Sequence, residues 1–475
     1  IGKFGGDTDN WIWPRHTGDF SMFRVYASKD NRPAAYSPQN VPYRPKKHFS
    51  ISTKGVKEGD FTMIYGFPGN TQEYILSDAV AYIAERSDPA KIAVRTGRLD
   101  IITKAQESDP ALRIHYAAKH ASIANAWKKW QGEALGIDRR GTVAAKFDYE
   151  TQFGLWSVGR PEYAGVVMGL RAEYDRIMDA YFAYEITRET LSTLPAAYTP
   201  EERSEECFAR RKFAEQALWR HAFREYGRCP KVYRTPSYAE GMARYKSPEA
   251  YADALFEAVW EGSDSVAMQP AVRLREETKR MLDHISWMLG TKSLRNLNSK
   301  ILNELYTTYI KGLREWDRER AFYPDANLTL RVAYGSVAGY EYADGEYHKP
   351  QTTLDGIIAK DNPEIYDYDI PQSLRDLYAS KNYGRWGTVI DGRRTVPVCF
   401  LATNHTTGGN SGSPVLNAGG ELIGINFDRT WRSTMSDIAY DPAICRNIAV
   451  DIRYVLFVVD RVGGAGYLLK EMTLK

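Results

Sequence analysis

The chain has 475 residues with 63 basic and 60 acidic side chains, and its net charge of +3 gives no argument for binding nucleic acid or an anionic membrane. A content of 43% hydrophobic and 26% charged residues is typical of a globular protein, and the length predicts two or three domains. The longest uncharged apolar runs, such as residues 454–459, are too short to span a bilayer.

Residues 1–72 have the pattern of strands and loops. Alternating apolar residues predict strands at 20–26 and 61–65, and the glycine- and proline-rich residues 66–70 predict a turn. The chain begins at Ile1 and is dense in motif-like sequence within about twenty residues, which predicts a fragment that starts inside a domain.

Residues 73–325 predict a helical domain. They are rich in Ala, Glu, Arg, Lys and Leu at helical spacing. Proline in a first helical turn predicts helix starts at 89–90, 199–202 and 247–250.

Residues 326–475 return to a strand pattern, with strands predicted at 328–334, 396–401 and 421–427. Gly419 and Gly420 predict a hairpin turn, and residues 451–461 predict a closing helix. The chain therefore consists of a strand region, a long helical insertion and a second strand region, with domain limits at 1–72, 73–325 and 326–475. An insertion of this size is tolerated between strands whose ends stay close together.

The four cysteines give little chemistry. They are Cys207, Cys229, Cys399 and Cys445, and no CxxC pair occurs, so the sequence does not predict a zinc site. Cys207 and Cys229 lie in one helical region and are a candidate disulfide if the compartment is oxidising.

The most informative segment is Gly-Asn-Ser-Gly-Ser-Pro at residues 409–414. Small residues here present one exposed serine, Ser411, directly before a predicted strand. The backbone N–H groups of Gly409 and Ser411 would converge to hold an oxyanion, and side chains at Gly409 or Gly412 would crowd the turn and the substrate. The segment therefore predicts a serine nucleophile for acyl transfer.

A serine nucleophile needs a histidine base and a group that orients it. Of the eight histidines, His405 is too near in sequence to approach Ser411 from a facing element, and His16 is interpreted as structural. Asp19, just before a predicted strand, is the preferred orienting carboxylate over Asp7 and Asp9. In a chymotrypsin-type order of His, Asp and Ser, the histidine is then expected upstream of Ile1.

Three segments together resemble the S46 family of bacterial serine dipeptidyl peptidases. Residues 5–20 read Gly-Gly-Asp-Thr-Asp-Asn-Trp-Ile-Trp-Pro-Arg-His-Thr-Gly-Asp-Phe, residues 124–130 read Ala-Asn-Ala-Trp-Lys-Lys-Trp, and residues 407–414 read Thr-Gly-Gly-Asn-Ser-Gly-Ser-Pro. The resemblance implies a chymotrypsin-like double β-barrel that is interrupted by a helical domain. It also implies that Asp19 orients the missing histidine and that Ser411 is the nucleophile.

The resemblance further implies a site for the α-ammonium group of a peptide substrate. The matching positions are Asn10, Trp11, Arg15, Asn125, Phe427 and Asp428. A carboxylate and amide oxygens suit an ammonium group, and aromatic rings would wall the site. Taken singly, these residues are ordinary turn, cap and packing residues; only the joint pattern favours a binding site.

Arg429 resembles the specificity residue of the Asp/Glu-specific branch of the family, where a guanidinium pairs with an acidic P1 side chain. The alternative is that Arg429 points to solvent, as surface arginines usually do. The resemblance also implies a homodimer in the periplasm that acts on oligopeptides with a free N-terminus. Acyl transfer by serine needs no metal or organic cofactor.

Three other functions stay open from the sequence. They are a peptidase of the same family with an apolar P1 preference, a trypsin-like endopeptidase, and a catalytically silent peptide-binding protein.

Overall fold

The computed structural model describes residues 4–262, 265–290 and 296–475. Its contacts divide the chain into two compact units. Unit 1 comprises Ile1–Glu73 and Asp325–Lys475, and unit 2 comprises Tyr74–Pro324. Unit 1 holds the strands and unit 2 is helical, so the predicted mixture of sheet and helix is confirmed.

The strands of unit 1 are β1 Tyr26–Ala27, β2 Val41–Pro42, β3 Phe61–Gly66, β4 Arg331–Ser336, β5 Tyr340–Ala343, β6 Glu346–His348, β7 Gln351–Thr353, β8 Thr388–Ile390, β9 Arg393–Thr395, β10 Pro397–Ala402, β11 Ser413–Leu416, β12 Leu422–Arg429 and β13 Asn447–Asp451.

The α-helices are α1 Ser77–Ala81, α2 Asp88–Ser108, α3 Pro110–Arg139, α4 Thr142–Ser157, α5 Val166–Glu189, α6 Pro200–Ser204, α7 Lys212–Tyr226, α8 Pro236–Tyr245, α9 Pro248–Glu261, α10 Ser265–Met288, α11 Lys300–Trp316, α12 Leu354–Lys360, α13 Gln372–Ser380 and α14 Ile452–Phe457.

A seven-stranded antiparallel sheet in the order β4-β3-β11-β12-β13-β10-β7 forms the centre of unit 1. A bridge between Val337, just after β4, and Ala402 in β10 brings a distant strand back to the edge strand. The sheet therefore curls, and its inner face holds the buried cluster Val56, Ile64, Val337, Phe400, Val415, Ile423 and Ala449. This sheet by itself does not show the second barrel that the resemblance implies.

The hairpin predicted at Gly419 and Gly420 is confirmed, because it joins β11 to β12 with Ser413 opposite Asn426. Gly420 has a φ of +72°, which glycine adopts without strain, and its N–H donates to Asn417 O at 3.0 Å. Since β12 runs back beside β11, its far end lies close to the segment that precedes β11. The hairpin thereby brings residues 426–429 next to the predicted nucleophile.

Two strand predictions differ from the structure. Only Tyr26 of residues 20–26 is in a strand, because the described partner, Val41–Pro42, pairs with two residues alone. Residues 328–330 precede β4 because Leu328 has a φ of +66° and its N–H donates to Pro68 O at 2.8 Å. The predicted helix at 451–461 is an α-helix over Ile452–Phe457 that continues as a wider turn over Val458–Val462.

Unit 2 is built from helices whose starts follow the local rules. Helix α2 has Pro89 in its first turn, α6 begins with a capping box of Thr199 and Glu202, and α9 is capped by Ser247, whose side chain accepts from Ala250 N–H. The starts of α6 and α9 confirm the predictions. The predicted start at 89–90 is wrong, because the chain is already helical from Ser77 and continues through the wider turn Tyr82–Ser87 into α2 without a side-chain cap. None of the helices in the described ranges is long and apolar enough to cross a bilayer.

All four cysteines are free thiols in the structure. The candidate disulfide between Cys207 and Cys229 is therefore not formed. Cys399 is fully buried, its thiol contacts Thr17 O at 3.3 Å, and burial raises its pKa to about 12. It is a packing residue of β10.

Candidate active site

Ser411 lies at the tip of the loop that enters β11, and it is exposed while the residues on either side of the loop are held down. Its Oγ donates to Phe427 O at 3.2 Å. The neighbouring Asn410 is buried, and its Oδ1 accepts from Thr407 N–H at 3.1 Å. A buried side chain thus fastens the loop, and the serine hydroxyl stays at its surface.

The backbone N–H groups of Gly409 and Ser411 donate to no acceptor among the described residues. Gly409 has a φ of +107°, and a Cβ there would lie 2.3 Å from Phe67 O. Gly412 has a φ of +83°, but a Cβ there would meet no protein atom within 4 Å. The crowding predicted for a side chain at Gly412 is therefore wrong for the turn, but the positive φ of both glycines strains any other residue there. The open N–H groups match the donors of an oxyanion hole.

Asparagines support the loop from below. Asn426 Nδ2 donates to Asn410 O at 3.2 Å, and Asn447 Nδ2 donates to Asn426 Oδ1 at 2.9 Å. Each side chain is at most 3% exposed. Buried amides that satisfy one another hold a single geometry, so the strands β12 and β13 fix the height of Ser411 above the sheet.

A second segment, residues 4–20, is fastened to the sheet close to β7 and β10. Thr352 Oγ1 in β7 donates to Arg15 O at 2.6 Å, and Arg15 Nε donates to Thr17 Oγ1 at 2.9 Å. Asp19 follows this fastened stretch and is exposed. Partial burial, opposed by Arg15 and reinforced by Asp428, raises the pKa of Asp19. Its electrostatic neighbours are therefore members of the predicted substrate site.

The rival carboxylate Asp9 has a structural role. Its Oδ2 contacts Lys360 Nζ at 2.8 Å, and its Oδ1 accepts from Tyr368 OH at 2.9 Å. These contacts hold the turn that carries Asn10 and Trp11, and Trp11 adopts a φ of +67° there. The sequence pattern contained Asp9 but gave no indication of its partners, which lie about 350 residues further on.

Asp428 lies in a buried cluster of charges. Its Oδ2 accepts from Arg15 Nη1 at 2.7 Å and from Trp11 N–H at 3.1 Å, and its Oδ1 accepts from Arg429 N–H at 2.8 Å. The Arg15 guanidinium carbon lies 5.2 Å from the centre of the Phe427 ring. The structure therefore brings together four of the residues predicted to bind an ammonium group: Trp11, Arg15, Phe427 and Asp428. Asn125 belongs to unit 2.

Arg429 is 4% exposed, so the alternative of a solvent-facing side chain is wrong. Its Nη1 and Nη2 donate to Asp437 Oδ1 and Oδ2 at 2.6 and 2.8 Å. Nη1 also donates to Ser436 Oγ at 2.8 Å and to Thr406 O at 3.1 Å. Because Thr406 begins the nucleophile loop, the guanidinium lies against that loop.

The sequence interpretation missed Asp437, Ser436 and Thr406. The only signal was an aspartate eight residues beyond Arg429, and an acidic residue at that distance is common by chance. The chain reverses through a short helical turn, Trp431–Asp437, and this reversal brings the carboxylate back onto the arginine. A short turn of this kind has no repeating spacing of apolar residues, so the sequence pattern could not predict it.

Two histidines of unit 1 have other partners. His405 Nε2 contacts Ser436 O at 2.9 Å, its Nδ1 lies 3.6 Å from Glu73 Oε1, and burial lowers its pKa. His16 is buried, and burial together with Lys360 lowers its pKa to about 4. In the described part of the chain, no histidine hydrogen-bonds to Ser411 or Asp19.

One cluster outside this site has metal-ligating side chains. His115, Glu205 and Cys207 in unit 2 place their ligand atoms within 4.8 Å of one another. Arg211 Nη1, however, lies 2.7 Å from His115 Nε2 and 3.5 Å from Glu205. The His115 imidazole then accepts a hydrogen bond from Arg211 and directs its Nδ1–H at Glu205. The cation of this group is the Arg211 guanidinium, so we do not interpret the group as a metal site.

An exposed serine with two open N–H groups, presented on a curled antiparallel sheet, defines the site of a serine peptidase. The chain belongs to the peptidase S46 family, whose model matches residues 1–206 and 201–474.

Two curated relatives are each named Asp/Glu-specific dipeptidyl-peptidase. The one from Capnocytophaga gingivalis is 41% identical over all of this chain and 72% of its own length. The one from Flavobacterium psychrophilum is 42% identical over all of this chain and 71% of its own length. A crystal structure of Porphyromonas endodontalis DPP11 in complex with the dipeptide Arg-Glu matches with a TM-score of 0.83 and 33% identity, over 100% of this chain and 73% of that one.

Proposed function

We propose that this protein is a serine exopeptidase that releases N-terminal dipeptides with Asp or Glu at P1. The observation that carries the proposal is the cluster in unit 1. It holds an exposed Ser411, the open N–H groups of Gly409 and Ser411, the buried carboxylate of Asp428 and the buried guanidinium of Arg429. The names of the relatives and the bound Arg-Glu of the solved relative agree with it.

In the proposed mechanism, Ser411 Oγ attacks the carbonyl carbon of the second peptide bond and transfers its proton to a histidine. The N–H groups of Gly409 and Ser411 hold the oxygen that becomes negative. Collapse of this tetrahedral intermediate breaks the C–N bond, the protonated histidine gives its proton to the leaving amine, and an acyl-enzyme forms. Water then attacks the ester by the same steps and releases the dipeptide.

Asp19 would orient that histidine and stabilise its protonated form. The raised pKa of Asp19 reflects a partly desolvated carboxylate, and a carboxylate in such surroundings interacts more strongly with an imidazolium than one in water.

The α-ammonium group of the substrate would bind Asp428, Asn10 and Asn125, with Trp11 and Phe427 as walls. Arg15 and the N–H groups of Trp11 and Arg429 hold the Asp428 carboxylate in one orientation before substrate arrives. A fixed anchor for the ammonium group, in the same site as Ser411, would restrict cleavage to the second peptide bond. The acidic P1 side chain would bind Arg429.

The remaining features are proposed from the resemblance to the family. They are a second, chymotrypsin-like barrel, a homodimer and a periplasmic location. No metal or organic cofactor takes part in the proposed reaction.

The test uses the full-length enzyme and chromogenic dipeptide substrates. We expect Xaa-Asp and Xaa-Glu to be hydrolysed faster than Xaa-Leu, and an acetylated N-terminus to reduce turnover to a low residual rate. Ser411→Ala should lower kcat by about 10⁴-fold or more, while Ser380→Ala, an exposed serine in α13, should not.

Each contrary result identifies another function. Faster cleavage of Xaa-Leu would indicate an apolar P1 pocket, and equal cleavage of acetylated substrates would indicate an endopeptidase. Absence of turnover in the full-length protein, with peptide binding retained, would indicate a silent binding protein.

A further inference from the structure

Asp437 is the counter-ion of Arg429, and the pair is sealed from solvent. Arg429 is 4% and Asp437 8% exposed. The carboxylate takes both terminal nitrogens of the guanidinium, at 2.6 and 2.8 Å, in a two-bond fork. Such a fork fixes the plane and the direction of the guanidinium as well as neutralising its charge.

Other groups restrict the same guanidinium. Nη1 donates to Ser436 Oγ and Thr406 O, and the Trp11 ring lies 5.6 Å from Cζ. Nη1 and Nη2 make all of these hydrogen bonds, so the protein fixes the guanidinium through its two terminal nitrogens.

Asp437 is itself held by the backbone. Gln72 N–H donates to Asp437 O at 2.6 Å, and His405 Nε2 contacts Ser436 O at 2.9 Å. These two bonds fasten the end of the Trp431–Asp437 turn to the segment after β3 and to the start of the nucleophile loop. His405 thereby has a role in supporting the pocket, although it is not the catalytic base.

We infer that Asp437 is a positioning residue for substrate specificity: it holds the Arg429 guanidinium in the orientation that receives the P1 carboxylate. The inference rests on the proposed function. An arginine side chain loses rotamer freedom when it binds, and here that ordering happens during folding, before the substrate arrives. The pair with Asp437 is also electrically neutral, so the preference for Asp or Glu depends on directed hydrogen bonds more than on net charge.

Because of this geometry, the single substitution Arg429→Gly is not expected to change the P1 preference from acidic to apolar. Removal of the guanidinium leaves the Asp437 carboxylate buried without its counter-ion. An apolar P1 pocket at this site therefore needs both changes, Arg429→Gly and Asp437→Asn.

The experiment measures kcat and KM of the full-length enzyme on Xaa-Glu and Xaa-Leu substrates, together with the affinity for a product dipeptide that ends in Glu. Asp437→Asn should lower kcat/KM for Xaa-Glu about tenfold through KM and leave Xaa-Leu within twofold. It should weaken product binding by the same factor. Asp391→Asn, an exposed aspartate paired with Lys349, is the matched control and should change nothing.

A double-mutant cycle separates positioning from general stability. If Asp437 acts through Arg429, Asp437→Asn should not change the Glu-to-Leu ratio further in the Arg429→Gly background. An unchanged ratio in Asp437→Asn, or an equal loss on both substrates, overturns the inference. If Arg429→Gly/Asp437→Asn still prefers Xaa-Glu, the acidic pocket of the proposed function is itself wrong. Ser436→Ala, which removes one acceptor of Nη1, should give the same direction of effect at about twofold.

Discussion

Two buried arginine–aspartate pairs lie at the end of β12, and they have opposite arrangements. In the pair of Arg15 and Asp428 the carboxylate has the most partners, because two backbone N–H groups join the guanidinium. In the pair of Arg429 and Asp437 the guanidinium has the most, because a hydroxyl and a carbonyl oxygen join the carboxylate.

The difference shows how one strand end can prepare two charges of opposite sign for one substrate. Donors concentrated on Asp428 fix it as an acceptor for an ammonium group. Acceptors concentrated on Arg429 fix it as a donor for a carboxylate. Because both pairs are neutral in themselves, neither leaves a buried charge without a partner when the site is empty.

The largest expected effect is at the first pair. Asp428→Asn removes the charge that the ammonium group would bind, and it leaves the Arg15 guanidinium buried without a carboxylate. We expect kcat/KM for free-amine substrates to fall about 10³-fold, since truncating one member of a buried charged pair costs about 2–5 kcal/mol.

Steady-state kinetics on free and acetylated substrates check this prediction. The low rate on the acetylated form should be unaffected, so the preference for a free amine should disappear. Asp376→Asn in α13 is the control, because that carboxylate is exposed. A variant that keeps its preference for the free amine would contradict the role of Asp428.

At the second pair the expected effect is on stability. Arg429→Gly should lower the free energy of unfolding by about 3–4 kcal/mol, because Asp437 is left as a buried uncompensated charge. Adding Asp437→Asn should recover most of that loss. Urea denaturation of the single and double variants measures the difference, and equal stability of the two would show that the carboxylate is hydrated or protonated once the arginine is gone.

The fold was predictable where the signal is local. Proline at a first turn and a side-chain cap define the starts of α6 and α9, and the Gly419-Gly420 turn defines the β11–β12 hairpin. Residues 20–26 alternate as a strand does, yet alternation does not provide a partner strand, and the described residues offer one only at Tyr26 and Ala27. The pairing partner is a property of the tertiary structure.

The residues of the site also divide into those that the sequence could predict and those that it could not. Ser411, Asp428 and Arg429 were predictable because one short hairpin connects them, and Asp19, Trp11 and Arg15 because they share one dense motif. Asp437 was not, because the chain must turn back through Trp431–Asp437 before its carboxylate meets Arg429. Patterns reveal residues that are themselves unusual in context, whereas a counter-ion is recognised only from its geometry.

His16 provides a test of how well the segment that carries Arg15 excludes water. It directly follows Arg15, and its pKa is lowered from 6.5 to about 4 by burial and by Lys360, against an opposing effect of Asp9. The unfolded chain therefore binds a proton between these two pH values and the folded chain does not. Stability is complete above pH 6.5 and falls by about 3 kcal/mol as the pH drops to 4.

Denaturation at pH 7 and at pH 4.5 measures this loss. His16→Phe should remove most of the difference between the two pH values, whereas His48→Gln, at an exposed histidine, should leave it unchanged. If the wild type is equally stable at both values, the surroundings of His16 admit water.

The smallest expected effect distinguishes the two pairs at a residue they share. Trp11 donates its backbone N–H to Asp428, which any substitution keeps, but its ring lies over Arg429 with 5.6 Å between ring centre and Cζ. Trp11→Leu should therefore lower kcat/KM for Xaa-Glu relative to Xaa-Leu by about threefold, the lower end of the range for cation–π contacts. The preference for a free over an acetylated amine should stay within twofold, and Trp11→Phe should restore part of the Glu preference. Loss of the amine preference instead would mean that the ring acts on the Asp428 half of the site, and that the two pairs are not independent.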